Sequence, residues 1–235
     1  MKSASEENLP KLLIVTATRV SPALFEETTL LGRSIRRLSS DGRLEVRVAA
    51  DNRQGLSGVY NEQICEENRE KFLLFLHDDV WLDDCFVYER LAEALNAFDV
   101  VGIAGNVRRV PLQPAWNFVS EQPFQWDEPG NLSGVVAHGA SPGGNLSRYG
   151  LPGLACRLLD GVFLAARCEV LLQTGVRFDE RFTFDFYDLD FCRSAEAAGL
   201  RLGTWPIAVT HDSSGKFDSP AWHAGLRAYR EKWSA

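Results

Sequence analysis

The chain has 235 residues, 45% of them apolar and 24% charged, and a formal net charge of −7. That length suits one large α/β domain whose core needs neither disulfides nor a structural metal. The acidic balance argues against a nucleic-acid footprint, and the short Arg33–Arg37 cluster reads as a solvated helix face.

Five cysteines, Cys65, Cys85, Cys156, Cys168 and Cys192, form no Cys-x-x-Cys pair and read as reduced residues rather than a disulfide frame or zinc site. Met1–Pro10 is polar, without an apolar signal core, and no apolar run approaches a membrane span. A cytoplasmic location follows as an expectation, with room for peripheral contact at the inner face of a membrane.

In chain order, Lys11–Thr18 predicts a first buried strand. Ser21-Pro22 opens a helix to about Leu38, and Ser39–Gly42 supplies a turn. Leu44–Asp51 is a second strand, and Ser57 caps a short helix through Asn61. Phe72–Leu76 is a third strand. Asp83 or Asp84 caps an amphipathic helix carrying Phe86, Leu91, Ala94, Leu95 and Phe98, and Val100–Ala104 is a fourth strand. This alternation predicts parallel strands joined by right-handed crossovers.

From Gly105 to about Leu158, proline and glycine break the pattern, with Trp116 and Trp126 between them. A stretch this long reads as a substrate-facing insertion with short strands, such as Gly134–His138. Leu158–Ala166 is a strand, Cys168–Gln173 a helix, and Leu189–Ala198 a helix stopped by Gly199. Arg201–Thr210 is the last strand, and Ser219-Pro220 starts a closing helix. The expected plan is a single domain over 1–235: a nucleotide-binding half at about 11–104, an acceptor and catalytic half at about 105–218, and a helix over 219–235.

The most telling stretch is Phe72–Leu76 followed by His77-Asp78-Asp79. A continuous apolar run is the mark of a strand covered on both faces, and open α/β sheets bind ligands beyond such strand ends. Two adjacent carboxylates there suit a divalent cation and the phosphates it carries. The alternative is an acidic loop that caps the next helix. Neither Gly-x-G-x-x-Gly after the first strand nor a P-loop is present. A metal is therefore the sensible way to hold a phosphate.

Seven pieces in order then resemble the GT-A-fold inverting glycosyltransferases that use nucleotide-sugar donors, the family 2-like enzymes. They are Thr16–Arg19, Asp51-Asn52, Gly55–Asn61, Phe75–Trp81, Leu159–Phe163, Phe186–Arg193 and His211–Phe217. Together they span about Lys11 to Trp233. The resemblance implies a GT-A fold with a mainly parallel central sheet flanked by helices. It also implies transfer of a sugar from a nucleoside-diphosphate sugar, UDP-linked by expectation, to a carbohydrate or lipid-linked acceptor, as in polysaccharide biosynthesis.

In that reading Asp79 ligates Mn²⁺ or Mg²⁺, Asp78 ligates or touches the ribose, and His211 is a third ligand or a hydrogen-bonded structural residue. Thr16, Thr18, Arg19, Asp51, Asn52, Asn61, Asp78 and Lys216 face the donor nucleotide, although Lys216 equally suits solvent. Asp188 is the general base, or else a helix cap. Asp190 is its backup and, with Asp160, Gly161 and Trp116, lies toward the acceptor sugar. Asp160 alternatively starts a turn, and Trp116 and Trp126 alternatively pack. Two departures from the family pattern are His77, where an acid is common, and Tyr187, where a glutamate is common. The competing functions are a sugar nucleotidyltransferase and a non-catalytic sugar-nucleotide or carbohydrate-binding protein.

Overall fold

The computed structural model describes residues 9–213 and 217–234. In chain order the elements are β1 (Leu12–Ala17), α1 (Pro22–Thr28), α2 (Leu30–Leu38), β2 (Leu44–Ala49), α3 (Leu56–Gln63), β3 (Phe72–Leu76), β4 (Val80–Leu82), α4 (Val87–Ala97), β5 (Val100–Gly102) and β6 (Ala104–Asn106). There follow β7 (Phe118–Glu121), β8 (Phe124–Trp126), β9 (Leu132–His138), β10 (Asn145–Arg148), β11 (Ala155–Cys156), β12 (Leu158–Leu159) and β13 (Phe163–Arg167). The chain closes with α5 (Cys168–Thr174), α6 (Tyr187–Ala197), β14 (Leu202–Thr204), β15 (Val209–His211) and α7 (Pro220–Trp233).

Among the described residues a seven-stranded sheet has the order β11-β14-β5-β13-β3-β1-β2. β1 pairs parallel with β2 and β3, as the alternation of strand and helix predicts. The expectation of a mainly parallel sheet needs correction, because β13 enters between β3 and β5 and runs antiparallel to both. A second, mixed sheet has the order β12-β6-β9-β15-β4, with β10 beside β9. The result is a mixed α/β architecture with helices flanking the sheets. Its core joins β1, β3, β13, α4 and α6 in one apolar cluster, with Leu12, Ile14, Leu74, Phe163 and Phe191 fully buried.

Several predicted elements divide. The helix expected from Ser21 to Leu38 breaks at Thr29, whose side chain accepts the Gly32 N–H at 2.9 Å and caps α2. Gly32 lies so near the Phe25 carbonyl that a Cβ there would sit 2.1 Å from it, so the chain folds back tightly at this point. Leu158–Ala166 and Arg201–Thr210 each split into two strands that join different sheets. Ser57 does not cap α3; Gly55 holds that position, while the Ser57 hydroxyl donates to the Phe182 carbonyl at 2.6 Å. Phe86, rather than Asp83 or Asp84, stands before α4, and Asp84 accepts the Phe86 N–H. All five cysteines are free thiols. No described helix is long and apolar enough to cross a membrane.

Candidate active site

Parallel pairing brings the carboxyl ends of β1, β2 and β3 to one edge of the first sheet. β3 is buried along its whole length, which anchors the turn that follows it. At that turn the chain passes into the second sheet, and His77, Asp78 and Asp79 occupy the junction. β4 then pairs antiparallel with β15 in a register that sets His211 opposite Val80. The Asp212 N–H closes on the Asp79 carbonyl at 2.9 Å. Strand register, not sequence proximity, thus delivers His211 to Asp79.

His77, Asp79 and His211 each offer one donor atom, all within 4.8 Å of one another. His211 Nε2 stands 3.3 Å from Asp79 Oδ1, and His77 Nδ1 stands 4.0 Å from the same oxygen. Asp79 Oδ1 and His211 Nε2 are both buried and neither has a well-aligned hydrogen bond among the described residues. Buried polar atoms left so are costly, and a shared cation would satisfy both at once. Two imidazoles and a carboxylate suit a transition ion such as Mn²⁺ better than Mg²⁺, which prefers oxygen.

The tautomer of His77 is fixed by its other nitrogen. Tyr187 donates its hydroxyl proton to the Gly161 carbonyl at 2.7 Å, so the 2.8 Å contact between His77 Nε2 and Tyr187 Oη requires His77 to donate. The Nδ1 lone pair is then free to face Asp79. Burial pushes the His77 pKa down, outweighing the neighbouring carboxylates, which favours the neutral imidazole a metal requires. Burial works against the charge on Asp79 and on His211 as well. Their mutual contact prevails, holding the carboxyl below its ordinary value and the imidazole above. Replacing Tyr187 by Phe removes the acceptor that orients His77. Metal affinity should fall about 10- to 100-fold, the usual effect of losing such a partner, as read by titration calorimetry. Affinity equal to wild type would show that Tyr187 does not orient the ligand.

Asp188 sits in the first turn of α6, beside the turn between β12 and β13. Its Oδ2 accepts the Gly161 N–H at 3.0 Å and its Oδ1 accepts the Leu189 N–H at 2.9 Å. Burial, and next the Asp160 carboxylate, push its pKa up to about 7, against the backbone hydrogen bonds that lower it. No Lys or Arg ion-pairs with Asp78, Asp79, Asp160 or Asp188 among the described residues. Gly161 is required here, because a Cβ would fall 2.4 Å from Tyr187 Oη and 2.8 Å from Asp188 Cβ. Just before α6, Phe186 adopts φ +66°, a strained conformation for a bulky residue. Its ring packs on Tyr229 and Trp222 of α7, with Gly225 close beneath it, and this packing holds the α6 entrance in place.

The remaining predicted residues fall into distinct places. Asp78 stands outside the His-Asp-His group; burial raises its pKa against the lowering influence of the Thr18 hydroxyl. Thr16 is buried and its hydroxyl has no hydrogen-bond partner among the described residues, and Arg19 and Asp51 are exposed at the tips of β1 and β2. The Asn52 N–H bonds the Thr18 carbonyl at 2.8 Å and ties those tips together. Asn61 does not face this edge: its amide bonds the Phe178 backbone in both directions and fastens α3 to the 178–180 loop. Asp190, predicted to lie toward the acceptor as a backup to Asp188, is fully buried and bound to Lys232 and Trp233, so it fastens α7 to α6. Lys216 lies outside the described residues.

From the sequence, whether His77 touches a metal or positions a water or a phosphate stays open, and the structure places it in the group that could hold an ion; His138 and Tyr149 are not singled out by the sequence. His138 ends β9 beside His211 and meets Tyr149 Oη at 3.4 Å. Tyr149 in turn stacks with Trp126, ring centres 6.0 Å apart, and receives Trp116 edge-on at 4.9 Å. Trp116 is buried packing, whereas Trp126 is 51% exposed. The only available signal for His77 was its two-residue spacing from Asp79, the same as in the Asp-x-Asp pattern.

No family model matches the chain, and no curated protein does. Among solved structures, the crystal structure of A197 from STIV is similar over 87% of this chain and 86% of that one. The identity is 12% and the TM-score 0.47, too slight a likeness to bear on function.

Proposed function

We propose that the chain is a metal-dependent inverting glycosyltransferase of the GT-A type, acting on a nucleoside-diphosphate sugar, with UDP as the expected nucleotide. One observation carries this reading: a two-histidine, one-carboxylate group at the strand ends, with a carboxyl group poised near neutrality across the Asp160–Gly161 turn from it. His77, Asp79 and His211 would hold Mn²⁺ by preference, or Mg²⁺, and such an ion offsets the charge on a departing diphosphate. Thr18, Asp51 and Asn52 edge the donor side. Asp188 takes the proton from an acceptor hydroxyl as that oxygen bonds to the anomeric carbon. The bond from that carbon to the β-phosphate oxygen breaks on the opposite face, releasing nucleoside diphosphate. The exposed Trp126 face, backed by Tyr149, gives a carbohydrate or lipid-linked acceptor an apolar wall.

A panel of nucleoside-diphosphate sugars with Mn²⁺ tests the proposal by the nucleoside diphosphate set free, with and without chelator. Absence of release from every donor would refute it. The base assignment also fixes a pH dependence. Asp188 acts in its ionised form, so kcat/KM should rise with pH through a midpoint near 7, the value to which burial and Asp160 raise it. A bound cation draws that midpoint down, not up. A rate that falls as pH rises from 5 to 7 would contradict the assignment.

A further inference from the structure

We infer that a second, metal-independent site for phosphate groups lies beside β4, where three arginines of α2 face Trp81. Arg33, Arg36 and Arg37 line a surface cavity of about 410 Å³, closed on the other side by Trp81 and the 140–142 loop. None of these residues belongs to the His77–Asp79–His211 group. The cavity is nevertheless adjacent to it, since Trp81 follows Asp79 by two positions and the loop continues from His138.

Charge makes the cavity unusual in a chain of net −7. Among the described residues no carboxylate forms an ion pair with any of the three arginines, whereas nine of the other seventeen arginines have one. Arg37 donates to the Leu82 carbonyl at 2.7 Å and to the Asp83 carbonyl at 3.1 Å, with its guanidinium 5.5 Å from the Trp81 ring centre. Arg33 Nε donates to the Thr29 carbonyl at 3.3 Å. The Arg36 guanidinium has no hydrogen-bond partner among the described residues. The carbonyls orient two of these groups without neutralising them.

Spaced three and four residues apart on one helix face, like charges repel. Attraction to the helix C-terminus accounts for Arg36 and Arg37 standing in the last turn. It does not account for the Trp81 ring and the loop that turn this face into a concavity. Guanidinium groups bind phosphate oxygens in pairs of parallel hydrogen bonds, and the ring offers a flat wall to the body carrying the phosphate. The ligand class is therefore a phosphate or diphosphate ester with an apolar or aromatic body, either a soluble ester or a phospholipid headgroup.

Two probes, both used with a chelator present, separate these sources: pyrophosphate by titration calorimetry, and sedimentation with phosphatidylcholine vesicles with or without phosphatidic acid. Wild type should bind at least one probe, and more weakly as salt is raised. Preference for pyrophosphate assigns a soluble ester, and preference for phosphatidic acid vesicles assigns a headgroup. The Arg33→Gln/Arg36→Gln double variant should weaken that binding about tenfold or more at an unchanged melting temperature. Arg36→Gln alone serves if the double variant is unstable. Asp79→Asn should bind as wild type does. Binding of neither probe would overturn the site, as would undiminished binding by the arginine variants or loss of binding in Asp79→Asn.

Discussion

Asp188→Asn is expected to lower turnover about 10²- to 10⁴-fold, the range for losing a positioned general base, while nucleoside-diphosphate and Mn²⁺ binding stay near wild type. The amide keeps the size of the carboxyl group, and its oxygen can still accept the Gly161 N–H, although the Leu189 N–H then loses its acceptor. What it cannot do is take up a proton. The split between kcat and binding separates a base from a residue that only caps α6, since loss of a cap lowers stability and leaves the chemical step alone. A melting temperature several degrees lower with full turnover would assign Asp188 to capping. Asp190→Asn gives the converse expectation, because its carboxyl group is buried against Lys232 and Trp233. Weakening a buried ion pair costs stability, and turnover per folded molecule should change little.

Asp79→Ala should abolish metal-dependent nucleotide binding altogether. Asp79 Oδ1 faces both imidazoles, 3.3 Å from His211 Nε2 and 4.0 Å from His77 Nδ1, and it supplies the only carboxylate of the three-residue group. Without it two neutral imidazoles remain, and a divalent ion loses its charged donor. Thermal melting with and without Mn²⁺ reads this directly, because a ligand that binds only the folded state raises its stability. Wild type should show a Mn²⁺-dependent rise that Asp79→Ala lacks. An equal rise in both proteins would move the metal elsewhere.

The parts of the site written in the sequence were those with a local physical signature. β3 is legible because a strand covered on both faces must be apolar throughout, and the polar turn at its end is conspicuous for that reason. Asp188 is legible as the entrance to a helix. Other features depend on partners far away in the chain. Asp190 looks like Asp188 until α7 returns with Lys232 and Trp233. Asn61 looks like a donor-side amide until the 178–180 loop closes over it. Apolar patterning also reports burial without saying which sheet a strand joins. Leu158–Ala166 and Arg201–Thr210 therefore read as continuous, although each crosses between sheets, and the first does so at the Asp160–Gly161 turn on which the site depends. The part His77 plays stays open in the sequence because its orientation is set by Tyr187, more than a hundred residues later.

The central claim is that His77, Asp79 and His211 form one metal site serving a nucleoside diphosphate. Electron paramagnetic resonance of Mn²⁺ tests it most directly, by following the free-ion signal as wild type, His77→Ala and His211→Ala proteins are added. Wild type should remove one Mn²⁺ per chain, bind it more tightly when UDP is present, and lose that binding in both histidine variants. Undiminished Mn²⁺ binding by either variant, or indifference of the bound ion to UDP, would contradict it.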